Sequence, residues 1–127
     1  MFTKPHLNSG VPIYVQLKEQ IMHAIEKGAL TKNEQLPSVR SMAEQLVINP
    51  NTVIKIYREL EMEGIIEIRH GSGAFVADTG LQKSKTNKIR QGTTAIEKVI
   101  DHLMNKGLQP DEIRRMAESV LQQKEKK

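Results

Sequence analysis

Three observations predict a mainly α-helical chain carrying one small β-hairpin. Apolar residues recur at three- and four-residue steps in five separate stretches, capping or helix-stopping residues stand at most of their boundaries, and two β-prone runs flank His70-Gly71-Ser72-Gly73. From Leu36 to Val76 two short helices, a tight turn and the hairpin follow one another with almost no spare residues. That order is a winged helix-turn-helix, and the residues beyond it read as a C-terminal helical hairpin.

Residues 1–10 read as a flexible lead-in whose only large apolar groups are Phe2 and Leu7. Pro12 suits the first position of a helix in which Ile13, Leu17, Ile21, Ala24 and Ile25 share one face and which Gly28 ends. Ala29 to Gln35 is a mostly polar loop, with Leu36 packing back beneath it. Ser38 is a good N-cap for a second helix that turns Val39, Met42, Ala43 and Leu46 inward and Arg40 away. Asn49 caps the third helix, and Pro50 occupies its first turn, where a missing N–H costs nothing. Val53, Ile56, Tyr57 and Leu60 form its buried stripe, while Asn51, Ile54, Lys55 and Arg58 recur on the opposite side. A helix so divided has one face for the core and one for a partner. Gly64 stops it by adopting the left-handed conformation. Ile65–Arg69 and Ala74–Ala77 then pair across a glycine-permitted loop. A phosphate-cradling loop is the competing reading of Gly71-Ser72-Gly73, but no Gly-Lys-Ser/Thr follows and no helix begins there.

The expected organisation is a winged domain over 1–79, a basic linker over 80–92 and a helical dimerisation tail over 93–127. The linker has Lys83, Lys85, Lys88 and Arg90 and no apolar period, although part of it can extend the next helix. Thr94 and Glu97 resemble a capping box opening a helix with Ile96, Val99, Ile100, Leu103 and Met104 on one stripe. After Gly107, Pro110 with Asp111 and Glu112 begins another, bearing Ile113, Met116, Ala117, Val120 and Leu121, and the terminal Lys-Glu-Lys-Lys frays. Two helices of this length cannot bury both stripes against each other. The same pair from a second chain would complete a four-helix assembly; folding back on the winged domain is the alternative.

Composition narrows the function classes. A chain of 127 residues has room for one ordinary domain, or a small domain with an appendage. The net charge of +4 favours a polyanionic partner only mildly, and it is unevenly spread. Residues 1–79 hold 8 Lys/Arg against 9 Asp/Glu, residues 80–92 hold 4 against 0, and residues 93–127 hold 7 against 6. Cysteine is absent, which removes disulfides and thiolate metal sites and suits a reducing compartment. The first residues contain no apolar signal core and no run approaches the roughly 18 apolar residues of a membrane span, so a soluble, cytoplasmic protein without membrane contact is expected. His6, His23, His70 and His102 are far apart, with no His-Glu-x-x-His and no paired carboxylates beside them. No catalysis, metal or cofactor is therefore expected.

Pro12-Ile13-Tyr14 with Gln16-Leu17, then Leu36-Pro37-Ser38-Val39-Arg40, Asn49-Pro50-Asn51-Thr52-Val53 with Tyr57, Leu60 and Gly64, and finally His70 to Val76 together resemble the N-terminal domain of the GntR family of bacterial transcriptional regulators. The Asn-Pro-Asn-Thr-Val version and the short tail are most similar to its YtrA-type subfamily. The resemblance covers about half the chain and implies DNA contacts at Arg40, Asn49, Asn51, Thr52, His70 and Gly71. In the family, basic side chains are common where His70 and Ser72 stand here and threonine where Ala74 stands, which implies a weaker phosphate grip at the wing; alanine is common where Ile56 stands, which implies a local change of packing within the same fold.

Side-chain chemistry agrees with these assignments and adds two residues. The Arg40 guanidinium matches a phosphate or the O6/N7 edge of guanine, and the amides of Asn49 and Asn51 suit adenine or phosphate. Lys55 and Arg58 would reach phosphates or deeper base edges, and Ile54 a thymine methyl. Each has a plainer reading beside it. Arg40 can pair with Glu44 and Arg58 with Glu61, Asn49 can serve only as a cap, Thr52 can solvate the first turn, and Ile54 can cover the edge of the core.

The resulting expectation is a dimeric repressor on an inverted-repeat operator in double-stranded DNA, a homodimer through residues 93–127, responding to an unidentified small-molecule effector. A winged-helix module that binds protein is the alternative that the near-neutral first segment keeps open. RNA binding lacks the aromatic surface that single-strand readers use.

Overall fold

A computed structural model of the chain describes residues 2–6 and 8–126. Leu7 and Lys127, both named above, lie outside the described residues. The elements are α1 (Ile13–Glu26), α2 (Val39–Leu46), α3 (Pro50–Met62), β1 (Ile66–Arg69), β2 (Gly73–Val76), α4 (Gly80–Asn105) and α5 (Pro110–Glu125). Packing divides them into two compact units, Met1–Asn87 and Lys88–Lys127, with the boundary inside α4.

In the first unit the stripes read from sequence meet in one core. Leu17 and Ile21 of α1, Met42 and Leu46 of α2, and Val53, Ile56, Tyr57 and Leu60 of α3 are buried with Ile65, Ile66, Ala74 and Val76 of the hairpin region. Val39 is only half-buried at its margin. Ser38 Oγ accepts from Ser41 N at 3.0 Å, and Asn49 Oδ1 accepts from Asn51 N at 2.8 Å, so both expected N-caps form. Pro12 lies one position earlier than expected: its extended ψ of 143° makes it the residue before α1, with its carbonyl accepting from Gln16 N. Gly64, at φ +76°, stops α3.

The helix-turn-helix turn is closed by a residue that sequence reading passed over. Val47 ends α2 at φ 54°, a left-handed conformation that a β-branched side chain adopts at a cost of about 1–2 kcal/mol. At the other end of α2, the Tyr57 hydroxyl donates to Pro37 O at 2.7 Å and so ties α3 to the entrance of α2. Burial pushes the Tyr57 phenol well above its ordinary value. Tyr57→Phe leaves the Pro37 carbonyl without this donor and is expected to destabilise the domain by about 1–2 kcal/mol in urea titrations at neutral pH. The folded state holds the phenolic proton more tightly than the unfolded chain does. The tyrosine's share of stability is therefore complete below about pH 10 and declines above it, a loss the phenylalanine variant should lack.

β1 and β2 pair antiparallel with Ile66 opposite Val76 and Arg69 opposite Gly73. The stretch read as a polar loop before α2 supplies a third line of pairing. Asn33 N donates to Val76 O at 2.9 Å, Val76 N to Glu34 O at 2.9 Å and Leu36 N to Ala74 O at 2.8 Å. β2 thus has hydrogen-bonded neighbours on both sides. The lead-in is also more ordered than its composition suggests. Gln20 exchanges both amide hydrogen bonds with the backbone of Thr3, at 2.9 and 3.0 Å, and Gln16 does the same with His6, at 2.7 and 2.9 Å.

Residues 80–92, expected as a linker, are the first half of α4. Gln82, Lys83, Lys85, Lys88, Arg90 and Gln91 are strong intrinsic helix formers, so a helix persists there without an apolar stripe. Thr94 caps no new helix: its hydroxyl donates to Arg90 O at 3.1 Å, one turn back along a continuous one. In the second unit the turn passes through Gly107, and α5 opens as expected, with Pro110 in its first turn and Glu112 Oε1 accepting from Gln109 N at 3.0 Å. Its apolar stripe is mostly uncovered. Ile113 is buried, but Ile96, Val99, Met116, Val120 and Leu121 are all 43–60 % exposed and, with their neighbours, line an apolar groove of about 510 Å³.

Candidate nucleic-acid interface

The start of α2, the outer side of α3 and the hairpin border one shallow groove, lined by Ser38, Val39, Ile54, Arg58, Ile68 and Gly73. Around it stand the candidate contacts. Arg40 projects from the first turn of α2 and is 90 % exposed, with Nε 3.1 Å from Glu44 Oε1. An exposed pair of this kind contributes only a few tenths of a kcal/mol, so the guanidinium is readily transferred to a phosphate. Asn49 and Asn51 are exposed at the start of α3, and Thr52 beside them is half-buried. Asn49 spends its carbonyl oxygen on the cap, which leaves its amide N–H groups to face a partner.

Lys55 and Arg58 lie further along the same face, both exposed. The Lys55 ammonium sits 4.6 Å from the centre of the Tyr14 ring, a cation–π contact from α1 that sequence reading did not foresee. Arg58 forms no ion pair among the described residues. Its expected competitor, Glu61, instead accepts from Ile68 N at 3.0 Å and so joins α3 to β1. Ile54 is half-buried in the groove wall. At the hairpin tip His70 and Gly71 are exposed, with Gly71 at φ +76° and the turn closed by Ser72 N donating to Arg69 O at 3.0 Å.

The acidic residues late in α3 and at the start of the hairpin are engaged by other parts of the domain. Lys18 Nζ, on α1, is 3.3 Å from Glu59 Oε2 and 2.8 Å from Glu63 Oε1. Burial, and then the adjacent Glu63, raise the Glu59 carboxyl above its ordinary value. Glu67 lies 3.5 Å from Arg69, which also stacks 4.1 Å from the Phe75 ring. Total charge, the only electrostatic quantity available from composition, concealed this arrangement: the carboxylates of Glu59, Glu61, Glu63 and Glu67 are engaged by α1 and the hairpin, while Arg58 is exposed and Arg40 and Lys55 have only an exposed ion pair and a ring contact. Among the described residues, no three His, Cys, Asp or Glu side chains gather as metal ligands would. No helix among them is long and apolar enough to cross a membrane.

A winged helix-turn-helix whose second helix presents polar side chains beside an exposed hairpin tip defines a duplex-reading domain. Comparison with known proteins places it more closely. Residues 13–76 match the family of bacterial regulatory proteins of the gntR type. The HTH-type transcriptional repressor YtrA of Bacillus subtilis is 38% identical over 96 residues, spanning 76% of this chain and 71% of that protein. A transcriptional regulator from Oenococcus oeni superposes with a TM-score of 0.69 at 32% identity, covering 92% of this chain and 97% of the other. AraR(DBD) in complex with operator ORX1 superposes with a TM-score of 0.52 at 27% identity, over 61% of this chain and 93% of that one. The chain belongs to the GntR family of DNA-binding transcriptional regulators and is similar to its YtrA-type members.

Proposed function

We propose that the chain is a homodimeric repressor that occupies an inverted-repeat operator. Residues 1–79 bind DNA and residues 93–127 join the two protomers. The start of α3 enters the major groove, with Asn49, Asn51 and Thr52 nearest the bases, Lys55 and Arg58 along the groove wall, Arg40 on the flanking backbone, and His70 and Gly71 at the adjacent backbone or minor groove. The observation that carries this reading is the arrangement of charge: Arg58 and the amides of Asn49 and Asn51 are exposed, Arg40 and Lys55 are engaged only by an exposed ion pair and a cation–π contact, and Glu59, Glu61, Glu63 and Glu67 are held by Lys18, Arg69 and the backbone of β1.

The exposed apolar groove of the second unit supports dimerisation. It matches what two stripes require from a second copy of themselves, and a patch of this kind is unusual on a monomer. With two-fold symmetry the recognition helices would enter successive major grooves about 34 Å apart. Repression would follow from occlusion of a promoter. Its relief would follow from a small-molecule effector, bound between subunits, that alters the spacing of the two reading helices.

Selection from random-sequence duplexes tests this directly. The expected result is enrichment of one palindrome, with affinity falling by about 10³ or more between 50 and 200 mM salt, as for six or more released counterions. Failure to enrich any sequence, or binding indifferent to salt, would point to a protein partner instead.

A further inference from the structure

We propose that Gln35, in the segment before α2, is a positioning residue for the wing: its side chain holds the hairpin tip where His70 and Gly71 meet DNA. The inference rests on the DNA-binding reading above and adds to it a residue that itself contacts no nucleic acid. Gln35 Nε2 donates to Ser72 O at 2.8 Å, across 37 residues of sequence. A carbonyl oxygen only accepts, so the amide nitrogen must face it.

The hairpin is shaped to receive this side chain. A Cβ on residue 73 would stand 2.8 Å from Gln35 Nε2, and Gly73 has φ +116°, so only glycine admits the contact at that backbone conformation. Main-chain pairing on either side of Gln35, Asn33 N to Val76 O and Leu36 N to Ala74 O, brings its backbone alongside β2. One residue away from the tip, Arg69 Nη2 reaches Asn33 Oδ1 at 3.4 Å. Beyond the Arg69–Gly73 pair that ends the ladder, the tip is closed by the turn hydrogen bond from Ser72 N to Arg69 O. Main-chain pairing with residues 33–36 fixes β2 only as far as Ala74, so without the Gln35 amide the loop beyond it would be less restrained, and ordering it on DNA would cost affinity.

A double-mutant cycle on the full chain tests the proposal, using a duplex selected by the wild type. Gln35→Ala and His70→Ala are each expected to weaken binding roughly three- to tenfold, the range of one hydrogen bond. The double variant should be no weaker than the worse single one, because a wing without its tip contact gains nothing from being held. Gln35→Glu preserves size and main-chain pairing but sets a carboxylate against Ser72 O, and should bind no better than Gln35→Ala. Thermal midpoints should stay within a few degrees of wild type, which separates positioning from folding. Wild-type affinity in Gln35→Ala, or losses that multiply in full, would overturn the inference while leaving DNA binding intact. A wild type that selects no duplex would instead remove the reading on which it rests.

Discussion

Val99→Glu is expected to convert the proposed homodimer into monomers at micromolar concentration and to weaken operator binding by about 100-fold or more. Val99 is 57 % exposed on α4 and lines the apolar groove with Ile100, Leu103, Ile113, Met116 and Val120. In a two-fold assembly through this groove the substitution buries two carboxylates without partners, each at a cost of several kcal/mol, and every 1.4 kcal/mol is tenfold in a dissociation constant. Operator affinity falls with it, because the second half-site is then no longer reached from a tethered partner. Sedimentation or light scattering reads the first effect and a gel-shift titration the second. Exposure of Val99 on one chain makes the variant benign for monomer folding, so helicity should be retained. A dimer that persists with glutamate at this position would remove the assembly proposed here.

Leu60→Ala should produce the largest change in stability. Leu60 is fully buried near the end of α3, among residues of α1, α2 and the hairpin, and its carbonyl accepts from Ile65 N at 2.9 Å where the chain turns into β1. Truncating a leucine in such a place costs about 2–5 kcal/mol, part lost transfer energy and part residual cavity. For a small domain with 5–15 kcal/mol in total, that corresponds to a drop in melting temperature on the order of 10–30 °C. Met62, two residues on, is 86 % exposed, and Met62→Ala should stay within about 0.5 kcal/mol of wild type. The contrast isolates the burial of one face of α3 from the helix's own propensity. Equal losses from the two variants in urea titrations would contradict the packing described.

These two substitutions also mark what periodicity reveals. The inward face of α3 was legible because a helix repeats every 3.6 residues and Val53, Ile56, Tyr57 and Leu60 follow that repeat. The caps at Ser38 and Asn49 and the stop at Gly64 were legible because each acts on backbone groups within a few residues of itself. Residues 80–92, open in sequence to a linker or to an extension of the next helix, show no apolar stripe: lysine, arginine and glutamine favour a helix there, and its buried side is formed by Gly80, Ser84 and Asn87, which no hydrophobic pattern marks. The candidate DNA contacts were named from side-chain chemistry and family resemblance. The cation–π contact that holds Lys55 and the ion pairs that occupy Glu59 and Glu63 were not, since Tyr14 and Lys18 lie about forty residues away in the chain.

By itself, then, the sequence determined α1, α2, α3 and α5, the buried face of α3 and the hairpin, because these depend on interactions between residues close together along the chain. Only the tertiary structure decided that residues 33–36 flank β2, that Gln35 reaches the hairpin tip and that Glu59, Glu61 and Glu63 are already occupied. Those contacts join segments brought together by folding, and a linear pattern carries no measure of which distant side chain will arrive within hydrogen-bonding distance.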